Sequence, residues 1–331
     1  MKILFAGLLL LSTACMAQET YPTIGTMEYT DSALTKLVSR DAKAEIIATG
    51  FRWSEGPLWV EKNGMLLFSD VPTNTVYKWT PAGGKEVYLK PSGYTGTAER
   101  GGEMGSNGLI LDREGRLVLS QHGDRRMARM DAPLHQPQAK FVTLADKHGG
   151  KRISSPNDAC YNSAGELFFT DPPYGLPGRG DNDPTKETTW NGVYKVKKNG
   201  DVVLLVDSLT RPNGIAFFPG EKRVLIANSD PQKPNWYVYD VQGDKLVNGK
   251  IFFSAAGAGR GMPGLPDGLK IDKRGNVYAT GPGGVYFFNS EGKKLGMLKV
   301  PGPTSNVSLS ADEKTMYITN SNQVLRFQMS K

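Results

Sequence analysis

Apolar and polar positions alternate along this chain in short bursts that return at a nearly regular interval. Leu109 and Leu111 precede the polar stretch Asp112-Arg113-Glu114-Gly115, after which Leu117 and Leu119 resume the alternation. A period of two, broken by a polar turn with glycine where φ must be positive, predicts two antiparallel strands joined by a tight hairpin. The same figure recurs around Asn162-Ser163-Ala164-Gly165 and Asp272-Lys273-Arg274-Gly275. Further strand-like runs follow, most clearly Gly192–Val196, Val202–Val206 and Trp236–Tyr239, and imply about four short strands per unit.

Six copies of the unit can be traced, opening at Glu55, Asn107, Asn157, Asn213, Asp267 and Asn306, at intervals of 52, 50, 56, 54 and 39 residues. A repeat of roughly 40 to 55 residues built from short strands predicts a β-propeller, one blade per copy. The expected fold is therefore all-β: a six-bladed propeller of four-stranded antiparallel blades around a central channel. It should occupy residues 41–331 as one domain, preceded by an extension over 18–40. Ala44 to Ala48 is strand-like and is expected to complete the last blade beside Val324–Phe327.

Composition narrows the class. The chain has 331 residues, 39% hydrophobic and 22% charged, which excludes disordered and fibrous proteins. Its start, MKILFAGLLLLSTACMAQE, reads as a secretory leader over residues 1–17, with an apolar run from Ile3 to Leu11 too short to span a membrane. Cleavage after Ala17 would give a soluble periplasmic or secreted protein, and processing before Cys15 a lipid-anchored one. Cys160 would then be the single remaining cysteine, with no intramolecular disulfide available. The net charge of +7 comes from basic residues scattered through turns rather than gathered in runs, which argues against a nucleic-acid partner.

The chemistry sits at the openers, all of which carry side-chain oxygen. Strands of an antiparallel blade alternate in direction, so the rim that holds the openers also receives Asp70, Gln121-His122-Gly123-Asp124, Asp171-Pro172-Pro173-Tyr174, Asn228-Ser229-Asp230 and Asn320. Converging carboxylates and carboxamides offer hard oxygen donors, suited to Ca²⁺, Mg²⁺ or Mn²⁺. Asn-Gly and Asp-Gly are also common turn formers, so a single opener decides nothing. Glu55-Gly56-Pro57 is no standard turn, however, and Asn157, Asn213 and Asp267 each follow a proline.

These residues carry a family resemblance. The set Trp53-Ser54-Glu55-Gly56-Pro57, Ser155-Pro156-Asn157-Asp158, Arg211-Pro212-Asn213-Gly214 and Leu265-Pro266-Asp267-Gly268 resembles the senescence-marker-protein/gluconolactonase family of six-bladed propellers. His122-Gly123-Asp124-Arg125-Arg126 and Thr170–Gly175 are similar to its bacterial gluconolactonase branch. The resemblance implies one divalent metal, Ca²⁺ first with Zn²⁺, Mn²⁺ or Mg²⁺ as alternatives, held by Glu55, Asn157, Asn213 and Asp267. It also implies hydrolysis of a sugar lactone, with the metal polarising the carbonyl and a carboxylate activating water.

Asp267 and His122 are the two candidates for the base. Asn107, Asn157, Arg125, Asp171 and Tyr174 are expected to contact substrate, and Asp124 and Arg126 to pair and fix their loop. Asn306, followed by valine after a short interval, is expected to contribute no ligand, and His135 and His148 no chemistry. The irregular stretches Lys90–Ser106, with Glu99, Arg100 and Glu103, and Pro172–Trp190 are expected to wall the channel and shape substrate choice. Competing functions are hydrolysis of another ester or a phosphotriester on the same metal, and a non-catalytic propeller that binds carbohydrate or protein.

Overall fold

The hairpin turns behave as their sequences require. In a computed structural model, which describes residues 21–257 and 261–330, Gly115, Gly165 and Gly275 have φ of 75°, 84° and 86°. Asp112 Oδ1 accepts from the Glu114 and Arg116 amides, and Asp272 Oδ1 does the same for Arg274 and Asn276. The carboxylate thus folds the chain back while glycine takes the left-handed position. The predicted leader, with Cys15 and Ala17, lies outside the described residues.

Six antiparallel blade sheets result, with a separate two-stranded ribbon pairing Lys147–His148 and Lys151–Arg152. The first four blades each have four strands in sequence order, beginning at Ser54–Val60, Ser106–Leu111, Ala159–Tyr161 and Pro212–Phe217. The fifth begins at Leu269–Ile271 and the sixth at Asn306–Leu309. Each of these two carries five strands. Ala44–Thr49 pairs antiparallel with Gln323–Gln328, so the sixth blade is completed from the N-terminal side as expected. The extension continues outward: Thr26–Tyr29 adds to the edge of the fifth blade and Thr23–Ile24 to the edge of the sixth. Between them and Ala44 lies a short 3₁₀ turn, Ser32–Lys36, capped by Asp31 and burying Leu34.

Among the described residues the core is divided into six clusters, one in each gap between neighbouring blades. Met65 and Leu67 face the second blade while Leu66 and Phe68 face the sixth. Likewise Leu167 and Phe169 face the second blade and Phe168 the fourth. Inner strands are therefore buried on both faces, which is why MLLF and LFF are continuous apolar runs rather than simple alternations. No helix among the described residues is long and apolar enough to cross a membrane.

Candidate active site

The openers stand where the first strands come together around the axis, and the residue after each explains the spacing. A Cβ added to Gly56 would lie 2.1 Å from the Asn107 carbonyl oxygen, and one on Gly108 2.6 Å from that of Asn157. On Gly214 it would lie 2.4 Å from the Asp267 carbonyl oxygen, and on Gly268 1.9 Å from the Asn306 side chain. Glycine is needed because the next blade's opener passes against it, and of these four only Gly56 has a positive φ. The Asn-Gly and Asp-Gly pairs are thus marks of crowding at the axis, not of turns.

Two further devices aim the openers. In the first, second and fourth blades the register slips at the opener, between Glu55 and Leu58, Ser106 and Leu109, and Pro212 and Ile215. Such bulges turn a side chain out of the ladder. The approaching loops are held by residues at or near the ends of the second strands. Asp70 Oδ1 accepts from the Arg52 and Trp53 amides, Asp171 from those of Ser154 (2.7 Å) and Ser155 (2.6 Å), and Asn228 Oδ1 from that of Arg211 (2.7 Å). Each staple falls two residues before an opener: Glu55, Asn157 and Asn213.

The result is a cleft of about 340 Å³ lined by Glu55, Asn107, Asn157, Asn213 and Asp267, with Trp53, Glu103, Tyr174, Ser229, Leu265 and Thr304 among its walls. Its volume is at the lower end of the range for small-molecule sites. The Oδ1 atoms of Asn107, Asn157, Asn213 and Asp267 are buried without a hydrogen-bond partner. Asn213 Nδ2 donates to Ser229 Oγ (2.9 Å), which in turn donates to the Pro266 carbonyl, so the amide is oriented with its oxygen left free. Buried oxygens left bare cost free energy unless something else meets them.

Burial drives Glu55 up to about 8, helped by the charges of Asp158 and Glu103 and opposed by the Gly56 amide. Burial, then Glu55, Asp158 and Glu103, also hold Asp267 well above the usual carboxylate range. A surplus of carboxyl groups with bare carboxamide oxygens between them is a receptor for positive charge. Among the described residues no three His, Cys, Asp or Glu side chains form a ready-made metal cluster. The expected set contains only two such residues, with its remaining oxygens coming from Asn157 and Asn213.

Not every expected residue reaches the cleft. Glu55, Asn107, Asn157, Tyr174, Asn213 and Asp267 do. Asp171 does not: it is fully buried, and both its oxygens are occupied by the Ser154 and Ser155 amides, although burial pushes its carboxyl up to about 6. Arg125 is likewise tied inside the protein, to the carbonyls of Ile153, Ser154 and Thr185. Both anchor loops instead of offering a surface to substrate. His122 is fully buried behind the wall, with Nδ1 3.1 Å from Glu103 Oε2. Asp124 and Arg126 pair at 2.9 Å as expected. Asn306 is turned to Asp158 and its own strand, outside the cleft lining. Among the wall residues, Trp53 and Thr304 had no role assigned from sequence, Trp53 standing in a quoted motif, whereas Glu103 lies in the Lys90–Ser106 stretch expected to wall the channel and shape substrate choice.

Known proteins resemble this chain in sequence and fold. The gluconolactonase of Zymomonas mobilis is 37% identical over 311 residues, spanning 92% of this chain and 86% of its own length. A gluconolactonase from Xanthomonas campestris superposes with a TM-score of 0.79 at 26% identity, over 94% of this chain and 99% of that one. A calcium-binding regucalcin from Agrobacterium tumefaciens shares the fold, with a TM-score of 0.66 at 15% identity over 85% and 92% of the two chains. The SMP-30/gluconolactonase/LRE-like family model matches residues 53–322, from the tryptophan beside Glu55 into the last blade, and the chain belongs to that family.

Proposed function

We propose that the protein is a divalent-metal-dependent hydrolase that opens a sugar lactone in the cleft at the top of the channel. Gluconolactonase-like lactone hydrolysis is the activity its relatives support. The observation that carries the metal is the group of bare buried oxygens, Asn157 Oδ1, Asn213 Oδ1 and Asp267 Oδ1, beside a carboxyl group at Glu55 that cannot ionise readily alone. Glu55, Asn157, Asn213 and Asp267 would hold the ion, and hard oxygen donors with two negative charges suit Ca²⁺. The regucalcin of the same fold is described as calcium-binding. Bound there, a divalent cation supplies electrophilic polarisation of a carbonyl and charge stabilisation as water adds.

The chain's own residues do the rest. Asn107 presents a free carboxamide oxygen to a substrate hydroxyl, and Trp53 and Leu265 give the sugar ring an apolar wall. Tyr174 brings a phenol whose ionisation is strongly opposed by burial, so it meets substrate as a neutral hydrogen-bonding group. A carboxylate at the wall takes the proton of the attacking water, and the ring oxygen leaves as a hydroxyl. The test is lactone opening by chelated protein before and after addition of Ca²⁺, Zn²⁺ or Mn²⁺. Turnover unaffected by chelation refutes metal dependence, and failure to open any lactone in the presence of every ion refutes the hydrolase.

A further inference from the structure

The loop between the first and second blades places a carboxylate in the cleft that belongs to no opener. Glu103 lines the same cavity as Glu55, Asn157, Asn213 and Asp267, with its side chain 18% exposed. It is the one wall carboxylate outside the expected ligand set. Its one ion-pair contact among the described residues is with His122, whose Nδ1 stands 3.1 Å from Oε2, off the line of a hydrogen bond. His122 is completely buried and both its ring nitrogens are otherwise unpartnered. An imidazole with no other use for its polarity, set against one oxygen of a carboxylate whose other oxygen is uncommitted, is an arrangement for orienting that carboxylate.

The loop is built into the rim, so Glu103 is not a casual surface residue. Arg100 donates through Nη1 to the Gly123 carbonyl and through Nη2 to that of Gly175, tying the loop to the rims of both the second and third blades. The Gly105 amide bonds to the Val71 carbonyl at 2.8 Å, and the His122 amide to the Gly105 carbonyl at 3.2 Å. Glycines allow the close fit. A Cβ on Gly123 would lie 2.5 Å from the Met104 carbonyl oxygen, and one on Gly175 2.6 Å from His122 Cβ. Side chains at these positions would push Glu103 and His122 apart.

We propose that Glu103 is the general base of lactone hydrolysis and that His122 is its positioning residue; this rests on the hydrolase reading above. Asp267, as a ligand, would have its basicity lowered by the cation it holds. Glu103 stands outside that ligand set while still lining the cleft. In the step, a water proton passes to a Glu103 oxygen as the water oxygen bonds to the lactone carbonyl carbon, and the carbonyl π pair moves onto its oxygen. The tetrahedral adduct then collapses: the carbonyl re-forms, the bond from carbon to ring oxygen breaks, and the ring oxygen takes the proton back from Glu103. One lactone and one water give one hydroxy acid, and Glu103 ends as it began.

The experiment compares wild type, Glu103→Gln, Glu103→Ala, His122→Gln and Glu99→Gln, a change on the same loop at an exposed residue that the fold leaves outside the cleft lining. All are assayed with glucono-1,5-lactone, and Ca²⁺ binding is measured separately by calorimetry. For Glu103→Gln the expected result is a kcat lower by about 10²- to 10⁴-fold, with KM and the Ca²⁺ Kd each within threefold of wild type. Formate should restore part of the activity of Glu103→Ala. His122→Gln should lower kcat by a smaller factor at unchanged KM, and Glu99→Gln should match wild type. A Glu103→Gln enzyme that keeps its kcat, or raises KM alone, overturns the proposal in favour of a substrate contact. A loss of Ca²⁺ affinity above tenfold overturns it in favour of a ligand, and a Glu103→Ala enzyme indifferent to formate also counts against it. Failure of wild type to open the lactone sinks the hydrolase reading instead, and is visible without any variant.

Discussion

Replacing Glu55 by glutamine should make the metal-free protein more stable while destroying its function. Glu55 is 2% exposed and its carboxyl is lifted from an ordinary 4.5 to about 8, first by burial and then by Asp158 and Glu103. A carboxyl raised on folding contributes stability below its unfolded value and loses it as pH climbs towards the folded value. At pH 7 the folded protein must take up a proton that the unfolded chain has released. That uptake costs about 3 kcal/mol, and the cost rises to about 5 kcal/mol above pH 8. Glutamine keeps the acceptor that the Gly56 amide uses at 3.0 Å and removes the ionisation. With about 2 cal/mol/K of unfolding entropy per residue over roughly 300 residues, 3 kcal/mol is a rise in Tm of about 5 °C. The assay is thermal unfolding in chelator at pH 5, 7 and 8, where the advantage of the variant should grow with pH and nearly vanish at pH 5. A thousandfold excess of Ca²⁺ over Kd should then raise wild type by about 4 kcal/mol and close the gap, because the cation replaces the proton. A chelated Glu55→Gln protein that melts at or below wild type at pH 8 refutes the reasoning, as does one that binds Ca²⁺ as tightly as wild type.

The same electrostatics predict that the Ca²⁺ Kd weakens roughly tenfold for each pH unit below about 8, with a proton released on binding, measurable by calorimetry in two buffers of different ionisation heat. Asp171→Ala orphans the buried Ser154 and Ser155 amides at about 1–3 kcal/mol each. The loss is partly offset by removal of a carboxyl that burial disfavours, so kcat should suffer more than the urea midpoint as Asn157 loses its anchor. Gly268→Ala, whose Cβ would meet the Asn306 side chain at 1.9 Å, should cost about 1–3 kcal/mol or more, whereas Gly115→Asn, in a turn with open space around it, should cost less than 1 kcal/mol in the same urea titration.

The blade count, the closure through Ala44–Thr49 and the four aligned openers could be read from the sequence because each follows from a local pattern. Two-residue alternation, a turn glycine and a repeat interval are all carried by adjacent residues. The meaning of the Xaa-Gly pairs could not be read so, since Gly214 is small because of Asp267 in the next blade, 53 positions away. Asp171 and Arg125 mislead for a related reason. A charged residue beside a functional motif looks like a substrate contact until one sees that its partners are the backbone amides and carbonyls of the loop it supports. Glu103 could be read only as part of a stretch that walls the channel, because its loop has no periodicity, and the fold alone sets it in one cleft with Asp267.

The placement of these groups divides the site into parts that can change at different cost. The openers expected to hold the metal are locked by several devices: Glu55 and Asn213 by the neighbouring blade against the following glycine, a staple two residues before and a bulge, Asn157 by its staple, and Asp267 by Asn306 of the next blade against Gly268. Moving one by an ångström requires moving a blade, which disturbs two of the six interfacial clusters at once. Glu103 and Tyr174 come instead from connections outside the sheets, and their loops reach the rim through hydrogen bonds to backbone carbonyls such as Gly123 and Gly175. Such contacts can be rebuilt around a different side chain without touching the core. Substitutions at Glu103 should therefore change rate, and those at Tyr174 substrate preference, at little cost in stability. Substitutions at Asn157 or Asn213 should lower metal affinity whatever lactone is offered.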